Sequence, residues 1–176
     1  MKTNKKIALV LVIALMLTSL AGCGGGSKSA QESDKIIVGA NFEMTGNAAS
    51  YGNSALQAIK MAFEEINASG GVLGKQIELI EMDNKTDLTE SANVAQRLIT
   101  QNKVVAILGP ATSGQVLAAS GPATQHKVPL ITPTGTAEKV TFDNNQVKEW
   151  IFRSCLIDSY QGRVGAEFAS KSLNAK

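Results

Sequence analysis

Three stretches of the chain concentrate small hydroxyl residues among glycines and prolines. They are Glu43-Met44-Thr45-Gly46-Asn47-Ala48-Ala49-Ser50-Tyr51-Gly52, Gly109-Pro110-Ala111-Thr112-Ser113-Gly114 and Thr132-Pro133-Thr134-Gly135-Thr136-Ala137. A hydroxyl both donates and accepts hydrogen bonds, and a glycine lets backbone approach a bound group closely. The middle stretch is the most mechanistic, because an apolar run ends there and a helical pattern begins at about Ser113. At a helix start, free N–H groups and the positive end of the helix dipole point at one place. A carboxylate or phosphate can sit there without any Arg or Lys. The same residues have a structural use, in which Thr112 or Ser113 caps its own helix. On this loop alone both uses stay open.

The remaining inventory speaks for binding rather than turnover. The single histidine, His126, lies at the polar end of a helical stretch, where solvation is expected rather than ligation. Ser113 as the nucleophile of an extracellular hydrolase therefore lacks a base. Asp83 and Asp87 flank a turn that begins at Asn84, and capping or solvation is the expected role of both. Behind no strand is there a Gly-x-x-x-x-Gly-Lys-Ser/Thr or Gly-x-Gly-x-x-Gly phosphate cradle. No catalytic residue, no metal and no cofactor are expected. Charge excludes a further class. Of the 17 Lys and Arg, three lie within residues 1–22, which leaves 14 basic against 15 acidic residues beyond them. That balance offers no footprint for nucleic acid.

The elements that must position the three loops alternate along the chain. Ile36 to Ala40, Ile77 to Met82, Val104 to Leu108, Val128 to Thr132 and Trp150 to Ser154 read as strands. Val104 to Leu108 is wholly apolar, as in a strand covered on both faces. Tyr51 to Ala68 reads as a helix with Ala55, Ile59, Ala62, Phe63 and Ile66 inward, stopped by Ser69-Gly70-Gly71. Thr89 to Gln101 follows with Ala92, Ala95, Leu98 and Ile99 inward, then Ser113 to His126, then Ser159 to Leu173 with Val164, Phe168 and Leu173 roughly on one side. Residues 134–149 read as polar and irregular. This alternation predicts an α/β fold, a parallel sheet with helices on both faces. In such a sheet ligands bind beyond the carboxyl ends of the strands, where all three hydroxyl-rich loops fall.

The N-terminus carries a different chemistry. Lys2, Lys5 and Lys6 precede an apolar run from Ile7 to Leu17, and Leu20-Ala21-Gly22-Cys23 follows. This is the layout of a lipoprotein signal peptide over residues 1–22, too short for a permanent membrane span. Acylation of the Cys23 thiol and cleavage before it would leave a lipid anchor carrying enough acyl chain for stable attachment. Residues 23–34 form a Gly/Ser-rich tether. Removing residues 1–22 of 176 leaves 154, enough for one domain with a real core. With Cys23 acylated, Cys155 has no partner for a disulfide, and a small buried hydrophobe is its expected role.

Several segments together resemble the branched-chain amino acid binding proteins of ABC importers. They are Val38-Gly39-Ala40 with Thr45-Gly46 and Tyr51-Gly52, then Ile66-Asn67-Ala68-Ser69-Gly70-Gly71-Val72-Leu73-Gly74 and Gly109-Pro110-Ala111-Thr112-Ser113. Pro129-Leu130-Ile131-Thr132-Pro133 with Thr136-Ala137 follows, then Phe152-Arg153 with Asp158-Ser159-Tyr160-Gln161-Gly162. The resemblance runs from about Lys35 to the end. It implies the first lobe of a two-lobed periplasmic-binding-protein type 1 fold, with an amino acid held between the lobes. Residues 35–157 would form the N-terminal ligand-binding lobe and 158–176 the start of the second, with the rest missing. By the same resemblance Ser113 takes the ligand α-carboxylate, Thr136 touches carboxylate and ammonium, the Thr134 carbonyl accepts from the ammonium, and Tyr51 borders the side-chain pocket. The implied partners are a Leu/Ile/Val-like amino acid and an ABC permease in the cytoplasmic membrane, with the protein a monomer. A sensory receptor domain of the same fold is the alternative. Two features depart from the family pattern: the disulfide of well-known members is absent, with Thr112 at one of its positions, and the sequence stops before a further expected strand.

Overall fold

The computed structural model describes residues 35–175; the signal peptide, the acylation site and the tether assigned above lie outside the described residues. The strands are β1 (Lys35–Phe42), β2 (Gln76–Asp83), β3 (Ala106–Leu108), β4 (Leu130–Thr132), the short β5 (Phe142–Asp143) and β6 (Gln146–Val147), and β7 (Ile151–Arg153). Five of them, all parallel, form one sheet in the order β2-β1-β3-β4-β7. Helices α1 (Ala49–Ala68), α2 (Leu88–Thr100) and α3 (Ser113–His126) form the crossovers, and α4 (Asp158–Ser172) follows the last strand.

Alternation along β1 sorts the helices onto two faces. Ala40 and Phe42 pack with Leu56 of α1, beside Leu79 and Leu108. Ile37 packs on the opposite side into the larger cluster of Val94, Leu98, Ile107, Val116, Leu130 and Ile151, which draws on α2 and α3. Fully burying such side chains stabilises by about 1.5–3 kcal/mol each. This is the expected α/β architecture.

Some details differ from the sequence pattern. In α1 the buried residues are Gly52 and Leu56, whereas Ala62 and Ile66 are exposed. The covered face is turned by about one residue from the expected one and runs through Gly52, Leu56, Ile59, Phe63 and Asn67, the last exchanging two hydrogen bonds with the Ile77 backbone of β2. Strand β3 is shorter than the apolar run that suggests it, and Val105 is exposed. Residues 134–149 are more regular than expected. They hold a 3-10 turn (Glu138–Val140) and the small hairpin of β5 and β6. Asn144 and Asn145, both at positive φ, turn that hairpin, as two-residue hairpin loops require. Cys155 is only half-buried, so it does not serve as a core residue. The α4 helix has no buried residue, and its Val164 and Phe168 are exposed, as is Leu173 just beyond it.

Candidate functional site

Register brings the carboxyl ends of β1, β3 and β4 side by side: Ala40 pairs with Leu108, and Leu108 with Ile131. The three hydroxyl-rich loops therefore meet at one edge. At the end of β3, Gly109 takes φ +90°, and a Cβ there would lie 2.2 Å from the Asn41 carbonyl oxygen. Only glycine lets the chain pass between β1 and β4 at this point.

The loop before α3 is braced from within. Glu43, fully buried at the end of β1, accepts from Ala111 N–H and Thr112 N–H at 3.0 Å each and from the Thr112 hydroxyl at 2.8 Å. Thr112 occupies the N-cap position of α3 but makes no side-chain cap bond. Its hydroxyl turns to Glu43 and to the Gln115 side-chain oxygen instead. A hydroxyl has a single proton, so turning the Gln115 amide lets its NH₂ donate to Thr112 and leaves that proton for Glu43. Self-capping, one of the two uses open at the sequence level for Thr112, is thus not what its side chain does.

The third loop is tied to the second. The Thr132 hydroxyl donates to the Pro110 carbonyl and the Thr134 hydroxyl to the Ala111 carbonyl, each at 2.6 Å. Gly135 N–H donates to the Thr132 hydroxyl oxygen at 2.9 Å, and Ala137 N–H to the Ser113 hydroxyl oxygen at 3.2 Å. Arg153 spans the far side, donating to the carbonyls of Gly135 (2.9 Å) and Glu138 (3.0 Å) and to the Thr141 hydroxyl.

These bonds dictate what each predicted residue has left to offer. The Ser113 oxygen already accepts from Ala137, so its own proton is available to an outside acceptor and is polarised for that use. The Thr134 hydroxyl is committed to the Ala111 carbonyl, whereas its own carbonyl accepts from no group among the described residues. Thr136, half-buried, accepts from Asp158 N–H through its carbonyl, which joins the loop to the start of α4. Tyr51 is 64% exposed at the start of α1. With Ser50, Ser54, Ala55, Pro133 and Thr134 it borders an open hollow of about 500 Å³. The structure thus places Tyr51 beside Thr134, and Ser113 beside the loop that carries Thr136.

The first loop is held by Asp83 at the end of β2. One carboxylate oxygen accepts from Met44 N–H (2.9 Å), Thr45 N–H (3.2 Å) and Lys85 N–H (2.7 Å), the other from the Thr45 hydroxyl (2.6 Å). Burial pushes this carboxyl up, but the Thr45 hydroxyl and the three N–H groups outweigh it and hold it below the ordinary aspartate value. A depressed pKa means stabilisation that is full above about pH 4 and is lost as pH falls through the folded value. Asp83→Asn is expected to cost about 1 kcal/mol at pH 7 and to flatten the acid limb. Urea unfolding at pH 7 and pH 3 checks this; an equal loss between the two pH values in both proteins contradicts it. Asp87 accepts from Glu90 N–H at 2.7 Å and caps α2, the capping role expected for it. His126 is exposed, with Gln96 at 3.2 Å from its Nε2. No cluster of metal-ligating side chains occurs among the described residues.

Sequence reasoning gave Glu43 no role of its own. The available signal was an acidic residue directly after an apolar strand and before Thr-Gly, in a sheet whose strand ends are covered. Arg153 drew notice only through resemblance, and its bracing of residues 135–141 needed the structure.

Residues 35–176 match a family described as periplasmic binding protein. An amino acid binding protein of Pseudomonas aeruginosa is 30% identical over 173 residues, 98% of this chain and 44% of that protein. The substrate-binding protein LivJ of a Streptococcus pneumoniae branched-chain amino acid transporter, solved in complex with isoleucine, shares 41% identity at a TM-score of 0.73. The match covers 80% of this chain and 39% of that one. The leucine-binding protein LivK of Thermotoga maritima shares 36% identity at a TM-score of 0.69, covering 79% and 38%. The chain therefore spans less than half the length of these relatives.

Proposed function

This chain belongs to the periplasmic binding protein family, and from that premise we propose that it supplies the first lobe of a solute-binding protein for an ABC importer of branched-chain or related small amino acids. The observation that carries the reading is the hydroxyl of Ser113, accepting from Ala137 and so left with a free proton at the start of α3. An amino acid zwitterion needs donors at one end and acceptors at the other. The Ser113 hydroxyl and the unpaired N–H groups of the first turn of α3 meet the α-carboxylate, with Thr136 beside them. The Thr134 carbonyl and Thr136 take the ammonium, and Tyr51 flanks the side chain. Bonds to charged groups contribute about 1.5–3 kcal/mol each.

In this reading residues 35–157 form the capturing lobe, and 158–176 begin a second lobe that closes over the ligand. Closure excludes water and strengthens the contacts already made. The closed complex is then delivered to a membrane permease. The protein acts outside the cytoplasm as a monomer, anchored through an acylated Cys23, and performs no catalysis. LivJ with isoleucine supports the ligand class. Calorimetric titration of the protein carrying both lobes against the L-amino acids is expected to give micromolar or tighter binding for Leu, Ile or Val. Absence of heat with every amino acid overturns the proposal.

A further inference from the structure

A buried carboxylate is an expensive brace for a loop, because every lost interaction with water must be replaced. Glu43 is fully buried, and its partners are Ala111 N–H, Thr112 N–H and the Thr112 hydroxyl. No basic side chain pairs with it among the described residues. The donors, aided by the positive end of α3, hold the charge instead.

Glu43 is also where the three loops are referenced to one another. Its backbone is pressed against α1: a Cβ on Gly52 would lie 2.2 Å from the Glu43 carbonyl oxygen and 2.8 Å from its nitrogen. Gly52 follows Tyr51 directly. The Glu43 carboxylate fixes Ala111 and Thr112, and Ser113 follows Thr112 directly. The Ala111 carbonyl in turn accepts from the Thr134 hydroxyl. One residue therefore joins the three loops: its backbone packs against α1 next to Tyr51, and its carboxylate fixes the segment that leads into Ser113. It also fills the Ala111 and Thr112 amides with a resident negative charge. An incoming carboxylate is then confined to the donors from Ser113 onward.

Resting on the ligand reading above, we infer that Glu43 is a positioning residue for ligand capture: its buried carboxylate places the Ser113 donors for the ligand carboxylate and denies that group the two amides before them. It touches no ligand itself. Gln in its place keeps the shape but removes the charge, and its NH₂ faces an N–H that needs an acceptor.

The test uses the protein carrying both lobes, with L-leucine as the probe, calorimetry for affinity and thermal unfolding for stability. Glu43→Gln is expected to weaken leucine binding at least 10-fold in the folded protein. The loss should shrink to under 3-fold with L-leucinamide, which lacks the carboxylate. Thr112→Val, which removes one donor and keeps both amides, is expected to fold and to weaken leucine binding about 3-fold; it serves where Glu43→Gln does not fold. Unchanged leucine affinity in the folded variants, or equal losses for leucine and leucinamide, overturns the inference while the ligand reading stands. A wild-type protein that binds no amino acid overturns both.

Discussion

Gly109→Ala is expected to remove about 2–6 kcal/mol of stability, a severe loss for the addition of a single carbon. Two costs combine. A non-glycine residue held at φ +90° costs about 1–3 kcal/mol. The added Cβ would also meet the Asn41 carbonyl oxygen at 2.2 Å and the Phe42 ring at 2.9 Å, and forcing extra atoms into packed surroundings costs about 1–3 kcal/mol more. Neither neighbour can retreat. The Asn41 side chain donates to the Ser91 carbonyl and accepts from Asn84, and Phe42 is fully buried against α1. Gly109 N–H donates to the Ile131 carbonyl at 2.8 Å, so moving the loop outward breaks the link to β4. Against a total stability of about 5–15 kcal/mol this is a large fraction. Gly121→Ala, in α3 with open space around its Cβ, is the control and is expected to be neutral or stabilising. A urea midpoint for Gly109→Ala within about 0.5 M of wild type would contradict the argument.

The contrast between Thr112 and Asp87 shows what was legible in the sequence. Asp87 caps α2 through a group three residues away, a local arrangement that spacing alone predicts. Thr112 has the same position relative to α3, whose limits Ser113–His126 match the periodicity. Its side chain nevertheless serves Glu43, 69 residues earlier. Local pattern sets where helices start and stop. It does not report a competing acceptor delivered by a neighbouring strand. In α1 the helix period was legible but the exact direction of its face was not: contact with the sheet turns the face so that Leu56 is buried and Ile66 is not. The alternation of strands and helices was legible because each crossover must cover apolar strands, whereas the apolar run overstates β3: Val105 donates to the Ile37 carbonyl at 2.9 Å but is exposed, and the paired register starts at Ala106 opposite Val38. For the site, residue types located the loops. The division of labour within them, with the Thr134 hydroxyl spent and the Ser113 proton free, emerges only from the hydrogen bonds between loops that parallel pairing brings together.

Ser113→Ala in the protein carrying both lobes is expected to weaken leucine binding about 30- to 100-fold, in line with losing a bond to a charged group together with a positional restraint. Under the proposed function the hydroxyl has two duties. Its proton would go to the ligand carboxylate, while its oxygen accepts from Ala137 N–H, which holds the loop carrying Thr136. Alanine removes both at once, so the variant leaves a half-buried N–H unpaired and lets the loop shift from the carboxylate. Thr134→Ala separates the two contributions. It also cuts a tie between the second and third loops, the bond to the Ala111 carbonyl, but it removes no donor from the ligand. It is expected to weaken binding less than about 5-fold, as befits one neutral hydrogen bond. Repeating the Ser113→Ala measurement with L-leucinamide completes a cycle between one protein hydroxyl and one ligand carboxylate. The penalty should then fall below about 5-fold, since the charge-assisted bond is absent from both proteins. A full penalty with leucinamide would mean that Ser113 acts only by holding its loop, and the carboxylate would have to be assigned elsewhere.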